Sequence, residues 1–208
     1  MKAFFTFLFF SLSLFTNVFA QGKVDPETAK SFADGFSKKV LGSLAVDKEI
    51  SVEERKQNVR DLLREGFAMK SIGQASVGRF WSQATNAEKT TFHKLFEDFF
   101  VDIYLENFKS YKVTEVSVVE ARSDEDGVWV KTVVKQQDKP DVIMEWKVVQ
   151  GKENLKIINV MVDGFLNFML NLQKAFVDII SSKGGEFSAI LDELRNKNGL
   201  KQMVNLEK

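Results

Sequence analysis

The chain holds a single histidine, His93, and no cysteine. A Cys nucleophile, thiolate metal sites and disulfides are thereby excluded together. Zinc sites draw on several His or Cys ligands, and this donor set is too small for one. The run Gly73-Gln74-Ala75-Ser76-Val77-Gly78 is one residue longer than a nucleophile elbow, and it falls in a helical pattern rather than after a strand. Nothing in the sequence brings His93 to Ser76. A single His rules out HExxH, and there is neither a Walker loop nor a GxGxxG. The many carboxylates show no spacing that pairs two of them for glycosidase-type acid catalysis. His93, on the helix face next to Phe92 and Phe96, reads as a partly exposed polar residue. The expectation is a protein with no catalytic residue, no metal and no cofactor.

Charge narrows the partners. Lys and Arg number 29 against 29 Asp and Glu. A nucleic-acid binder needs a basic stripe to displace counterions, so nucleic acid is not an expected partner. A polybasic membrane anchor is equally unsupported. Met1-Lys2, the apolar stretch Ala3 to Phe15 and the ending Val18-Phe19-Ala20 together read as a cleaved signal peptide over residues 1–20. The apolar run is short of the ~20 residues that a bilayer span requires, which argues against an anchor helix. Residues 21–208 are then expected to form one exported domain. Seven of the 20 phenylalanines fall in the leader, so aromatic composition alone does not mark a ligand site.

Apolar periodicity supplies the elements. Asp25 and Pro26 suit the N-cap and first position of a helix whose stripe is Ala29, Phe32, Phe36, Val40 and Leu44. Ser51 with Glu54 makes a capping box before a helix that buries Val59, Leu62 and Leu63. A short helix is expected over Met69 to Val77. Thr85 with Glu88 opens a long helix to about Asn107, aromatic along Phe92, Leu95, Phe96, Phe99, Phe100, Ile103 and Tyr104, and acidic along Glu97, Asp98, Asp102 and Glu106. The period then becomes two. Val116 and Val118 lead to a turn at Ser123–Gly127, whose Asp-Gly favours a hairpin. Val128, Val130, Thr132 and Val134 mark the next strand. A turn at Lys139-Pro140-Asp141 precedes Val142, Met144, Trp146 and Val148, and Leu155 to Val162 is the fourth strand. Gly164 ends the sheet, and Phe165, Phe168, Met169, Leu172, Phe176, Ile179 and Ile180 form the apolar face of a following helix. Gly184-Gly185 breaks it before a last short helix that stops near Gly199. The expected fold is α+β: helices packed on a curled antiparallel four-stranded sheet, NTF2-like, with an apolar cavity between the layers.

Residues from Val59 to about Lys197 resemble the MlaC family, also called the toluene-tolerance family. Val77-Gly78-Arg79-Phe80-Trp81-Ser82-Gln83-Ala84-Thr85, followed by Glu88-Lys89 and Phe92, is similar to that family's Gly-x-x-Trp-x-x-Ala-Thr turn into a Phe-rich helix, which Phe96 and Tyr104 also fit. Val160-Met161-Val162-Asp163-Gly164 and Gly184-Gly185 fit as well. Leu166, Leu172, Leu155 and Asn159 stand where the family often has Ser, Arg, Trp and Asp. These changes are expected to make the pocket mouth more apolar, and they leave the lipid open between phospholipid and a hopanoid-like molecule.

The resemblance implies a periplasmic phospholipid carrier, not an enzyme, that contributes to outer-membrane lipid asymmetry. Its implied partners are an inner-membrane ABC-type lipid transporter complex and an outer-membrane lipoprotein–porin complex. The implied lipid-binding residues are Phe96, Phe100, Tyr104, Val130, Trp146, Val160, Phe165 and Met169. Two other readings have distinct marks. A hydrolase on a similar scaffold would show a buried carboxylate near Tyr104. A chaperone for lipoprotein or apolar peptide would show an open groove.

Overall fold

A computed structural model describes residues 23–44, 50–107 and 113–196 of the chain. The expected signal peptide and the stop near Gly199 lie outside the described residues. Four helical segments come first: α1 (Pro26–Leu44), α2 (Val52–Gly66), α3 (Met69–Ser76) and, after a 3₁₀ turn over Gly78–Ser82, α4 (Asn86–Asn107). A meander follows: β1 (Val113–Ser123), β2 (Val128–Gln136), β3 (Lys139–Gln150), β4 (Leu155–Val162) and β5 (Leu166–Asn167). Helices α5 (Phe168–Ser182) and α6 (Ser188–Asn196) close the described chain. The sheet runs in sequence order, every pair antiparallel. The fold is α+β as expected, with five strands in place of four.

The caps form as the residues require. Asp25 accepts the Thr28 amide at 2.9 Å, which holds its carboxyl below the usual range. Ser51 accepts the Glu54 amide at 3.1 Å. Thr85 and Glu88 complete a reciprocal box, with amide-to-side-chain bonds of 3.2 and 2.8 Å. The third helix is shorter than expected because Gly78 takes φ +52°, a left-handed backbone that ends the α-helical turn and starts the 3₁₀ one.

Two turns differ from expectation. The β2–β3 reversal is Gln137-Asp138, with Asp138 at φ +63°, and Lys139-Pro140-Asp141 belongs to β3. Pro140 falls where the β2–β3 register is irregular, and β4 pairs with β3 only from Met144 onward, so its missing N–H costs no ladder bond. After β4, Asp163 (φ +50°) and Gly164 (φ +76°) are both left-handed and reverse the chain into β5. Asp163 is held on both sides: its amide donates to the Ile143 carbonyl at 2.8 Å, and its Oδ1 accepts the Ile143 amide at 2.9 Å. Helix α5 therefore starts at Phe168, three residues later than the apolar pattern suggests.

The core divides α4 into two zones. Phe92, Phe96 and Phe99 are fully buried against Phe176 of α5, with ring centroids 6.1 to 6.4 Å apart. The acidic side of α4 meets α2 rather than open water: Lys56 pairs with Asp102, Arg60 with Asp98 and Arg64 with Glu97. Helix α2 is also tied to the sheet. Lys156 Nζ on β4 donates to the Arg64 and Glu65 carbonyls at 2.7 Å each, and the Ala68 amide donates to the Ile157 carbonyl at 3.0 Å. Helix α1 lies over β1 and β2 and touches α2. Its Phe36 ring sits so close to Gly66 that a Cβ there would meet ring carbons at 2.2 Å.

On the outer face, Lys147 of β3 is 7% exposed and paired with Asp124 and Asp126 of the β1–β2 loop. The two carboxylates more than offset burial and hold its amine above the usual range. Hydrogen bonds from Lys147, the Glu125 amide and Trp129 bring Asp124 from 3.8 to about 2.

Two outcomes are expected. Gly66→Ala should lower the thermal midpoint by an amount equivalent to about 1–3 kcal/mol of overpacking. Because the clash is with one ring, Phe36→Leu in the same chain should lose less than the two changes separately, and thermal denaturation of the four proteins checks this. Asp124 is depressed on folding, so its contribution is full above pH 3.8 and is lost as pH falls toward 2. The gap in denaturant midpoint between wild type and Asp124→Asn should be widest near neutrality and close over that acid range.

Candidate functional site

Between the concave face of the sheet and the helices lies a hollow of about 150 Å³, open to solvent on one side. Its walls come from seven elements and one connection. Helix α1 gives Phe36 and Val40, α2 gives Leu62 and Leu63, and Phe67 follows from the α2–α3 connection. Ile72 belongs to α3, and Phe100, Ile103 and Tyr104 form the C-terminal zone of α4. Met144 and Trp146 of β3, Ile158 to Val160 and Val162 of β4, and Phe168 of α5 complete it.

Sheet pleat explains the floor. Met144 pairs with Val162 and Trp146 with Val160, so these four side chains share the concave face. On α4, Phe100, Ile103 and Tyr104 follow at three- and four-residue spacing beyond the packed Phe92–Phe99 zone. Phe100 bridges the zones, 4.7 Å from Phe96 and 5.5 Å from Phe168.

The few polar atoms on the wall are used internally. Trp146 Nε1 donates to Thr132 Oγ1 at 2.9 Å, and Thr132 donates onward to the Met144 carbonyl at 3.1 Å. Ser43 Oγ donates to the Val40 carbonyl, so the 2.7 Å bond between Ser43 and Tyr104 is donated by the tyrosine. Burial raises the Tyr104 pKa. Asn159 Oδ1 accepts the Val160 and Met169 amides at 2.8 and 3.1 Å, and its Nδ2 donates to Asn167 Oδ1 at 3.1 Å. Among the described residues no carboxylate lines the hollow. The chemistry it offers is burial of an apolar guest.

Four of the residues anticipated from the sequence stand on this wall: Phe100, Tyr104, Trp146 and Val160. Phe96 is fully buried behind Phe100, and Val130 is fully buried in the core although it pairs with Trp146 across the sheet. Met169 packs half-buried against the core and meets the site only through its amide. Phe165 lies at the Asp163–Phe165 reversal, 76% exposed. The spacing of Phe36 and Val40 on α1 and of Leu62 and Leu63 on α2 marks burial alone and does not separate core from wall, and Ile72 of α3 carries no stripe of its own. Of the positions that depart from the family pattern, Asn159 reaches the hollow. Leu172 is buried in the core and Leu155 packs at the far end of β4, so neither shapes the mouth.

The remaining chemical candidates are occupied. Ser76 is buried, and its hydroxyl donates to the Gly73 carbonyl at 2.7 Å. The His93 ring centroid lies 5.1 Å from that of Trp81, the planes tilted, and burial, with Lys70 nearby, lowers its pKa. Among the described residues there is no cluster of potential metal ligands, and no helix is long and apolar enough to cross a membrane.

No curated protein sequence matches the chain. A solved structure described as the phospholipid-binding protein from Ralstonia solanacearum in complex with a phospholipid superposes with a TM-score of 0.72 at 21% identity, covering 84% of this chain and 98% of that one. At that identity the likeness shows the fold. The family model described as MlaC protein matches residues 34–196. That match runs from within α1 to the end of α6, across every element that walls the hollow, and the chain belongs to the MlaC family.

Proposed function

We propose that this chain is a periplasmic lipid carrier, which takes phospholipid acyl chains into the hollow and moves the lipid between an outer-membrane lipoprotein–porin complex and an inner-membrane ABC-type transporter. The observation that carries the reading is the wall itself: apolar, with every polar atom engaged elsewhere and one side open. Each methylene left in water costs about 0.8 kcal/mol, so a lipid crosses an aqueous space only with its chains covered. Family membership and the phospholipid in the Ralstonia solanacearum structure support the same reading.

The hollow is about 150 Å³. A cavity of that size accepts a benzene-sized guest, far short of an acyl chain, so loading requires a wall to move. Strands β3 and β4 are held by ladder bonds, α2 by Lys156 and α4 by its ion-pair seam and aromatic block. Helix α1 is held by apolar contacts, the Ser43–Tyr104 bond and the exposed Lys39–Glu65 pair. Exposed pairs contribute about 0–1 kcal/mol, so apolar burial of Ala29, Ala33 and Phe36 is what chiefly holds α1.

Native mass spectrometry of protein purified from the periplasm should show one lipid per chain, and organic extraction should identify it as phospholipid or hopanoid-like. Phe100→Asp and Val160→Asp should abolish retention, as should Ile103→Trp, which fills the hollow without adding charge. Phe165→Asp, at an exposed turn, should retain lipid as wild type does. An apo mass with no uptake from liposomes, or full occupancy in the folded wall variants, would overturn the reading.

A further inference from the structure

The side of α3 away from Ile72 borders a second concavity. An open groove of about 600 Å³ runs between α3, the 3₁₀ turn and α5, lined by Ser71, Gln74, Arg79, Trp81, Ser82 and Gln173 among others. Gln173 Nε2 donates to the Ala75 carbonyl at 3.0 Å and fixes one side against the other. Among the described residues no carboxylate lines it. Cations do surround it. Lys89 Nζ stands 5.4 Å over the Trp81 ring, Arg79 lies in the groove and over Phe80, and Lys70 lies near His93, whose ring is in tilted contact with Trp81.

Among the described residues, Lys70, Arg79 and Lys89 have no carboxylate within ion-pair distance, while the cations of α2 that face α4 are matched one to one. The nearby acids are committed: Glu97 to Arg64 and Glu88 to the Thr85 cap. The groove thus combines uncompensated positive charge with amides and hydroxyls that can meet a backbone. Of these cations Arg79 lines the concavity, and three are fewer than the cluster of about 4–8 basic residues that meets a bilayer surface. The large exposed apolar side chains that could enter a bilayer (Val52, Val119, Ile143, Phe165 and Leu170) lie on other elements.

We propose that this groove docks an acidic, extended segment of a partner protein. Carboxylates of the segment meet Lys70, Arg79 and Lys89, and its backbone meets Gln74, Gln173 and Ser71. Ile72 and Phe168 of the same two helices wall the lipid hollow, so the segment would sit on the outer side of elements whose inner side faces the guest.

The test is fluorescence anisotropy of a fluorescein-labelled peptide of alternating Glu and Ser, titrated with the purified full-length protein. Binding should weaken as salt rises. The double change Lys70→Glu with Arg79→Glu should weaken it about tenfold, the scale of two exposed pairs reversed. Lys131→Glu with Lys152→Glu, at unpaired cations on the sheet side, should leave it within about twofold on the same scale. Circular dichroism and lipid content of each variant keep folding and the hollow separate from docking. Absence of binding, equal loss in the control pair, or binding to phosphatidylglycerol vesicles without binding to the peptide would overturn the proposal.

Discussion

An interior that should close on itself is kept from closing, and the other features of the fold follow from that. By the scale of about 24 cal/mol per Å³ measured for cavities in protein cores, a hollow of this size costs about 3–4 kcal/mol. It persists only if its walls cannot relax inward. Behind α4, Phe92, Phe96 and Phe99 lock against Phe176 and leave that helix no room to rotate. At the far side Lys156 and the Ala68–Ile157 bond pin the end of α2 to β4, which fixes Phe67 at the rim instead of letting it fill the space. Trp146 is held upright by Thr132, a buried hydroxyl whose place is otherwise hard to justify on an apolar strand face.

The elements were legible because each carries its own local chemistry. Capping residues stand at the starts of α1, α2 and α4, and the alternation Val128, Val130, Thr132, Val134 gives the buried face of β2 residue by residue. The errors arise where two signals of the same kind compete. Asp-Gly occurs three times, once inside α1 at Asp34-Gly35 and twice around the sheet. At Asp126-Gly127 it sits within a four-residue loop closed by the Asp124 amide on the Gly127 carbonyl, without a left-handed glycine. At Asp163-Gly164 both residues are left-handed and the chain reverses. The apolar run that follows, Phe165 onward, continues helical spacing through the reversal. Sequence periodicity therefore absorbed Phe165 and the two residues of β5 into α5.

The hollow was half legible for a related reason. A helical stripe says which residues leave water, not whether they meet one another or a void. Phe96 and Phe100 are one turn apart on one face, and the difference between core and wall is set by where α5 and α6 end, which the α4 sequence does not carry. Val130 and Trp146 share the concave face and pair directly, yet one is fully buried and the other lines the hollow. The family signature around Gly78-Arg79-Phe80-Trp81 was the most specific stretch of sequence, and it lies outside the hollow, on the 3₁₀ turn that spaces α3 from α4.

Asn159 shows how the wall stays neutral. It is the one amide on the hollow, at a position where the family pattern often has Asp. Its Oδ1 serves the Met169 amide and its Nδ2 serves Asn167 Oδ1, while Asn167 in turn accepts the Leu170 amide, so two orphan donors of the first turn of α5 are met by a matched pair of amides. An Asp at 159 would set acceptor against acceptor at Asn167. Turning the Asn167 amide to compensate would remove the Leu170 cap. With asparagine the helix start is satisfied without a formal charge beside Val160 and Phe168. Among the described residues no carboxylate or ammonium then lines the interior. Discrimination inside such a wall rests on the length and bulk of the guest, because dispersion and water exclusion are the only forces it has left to apply.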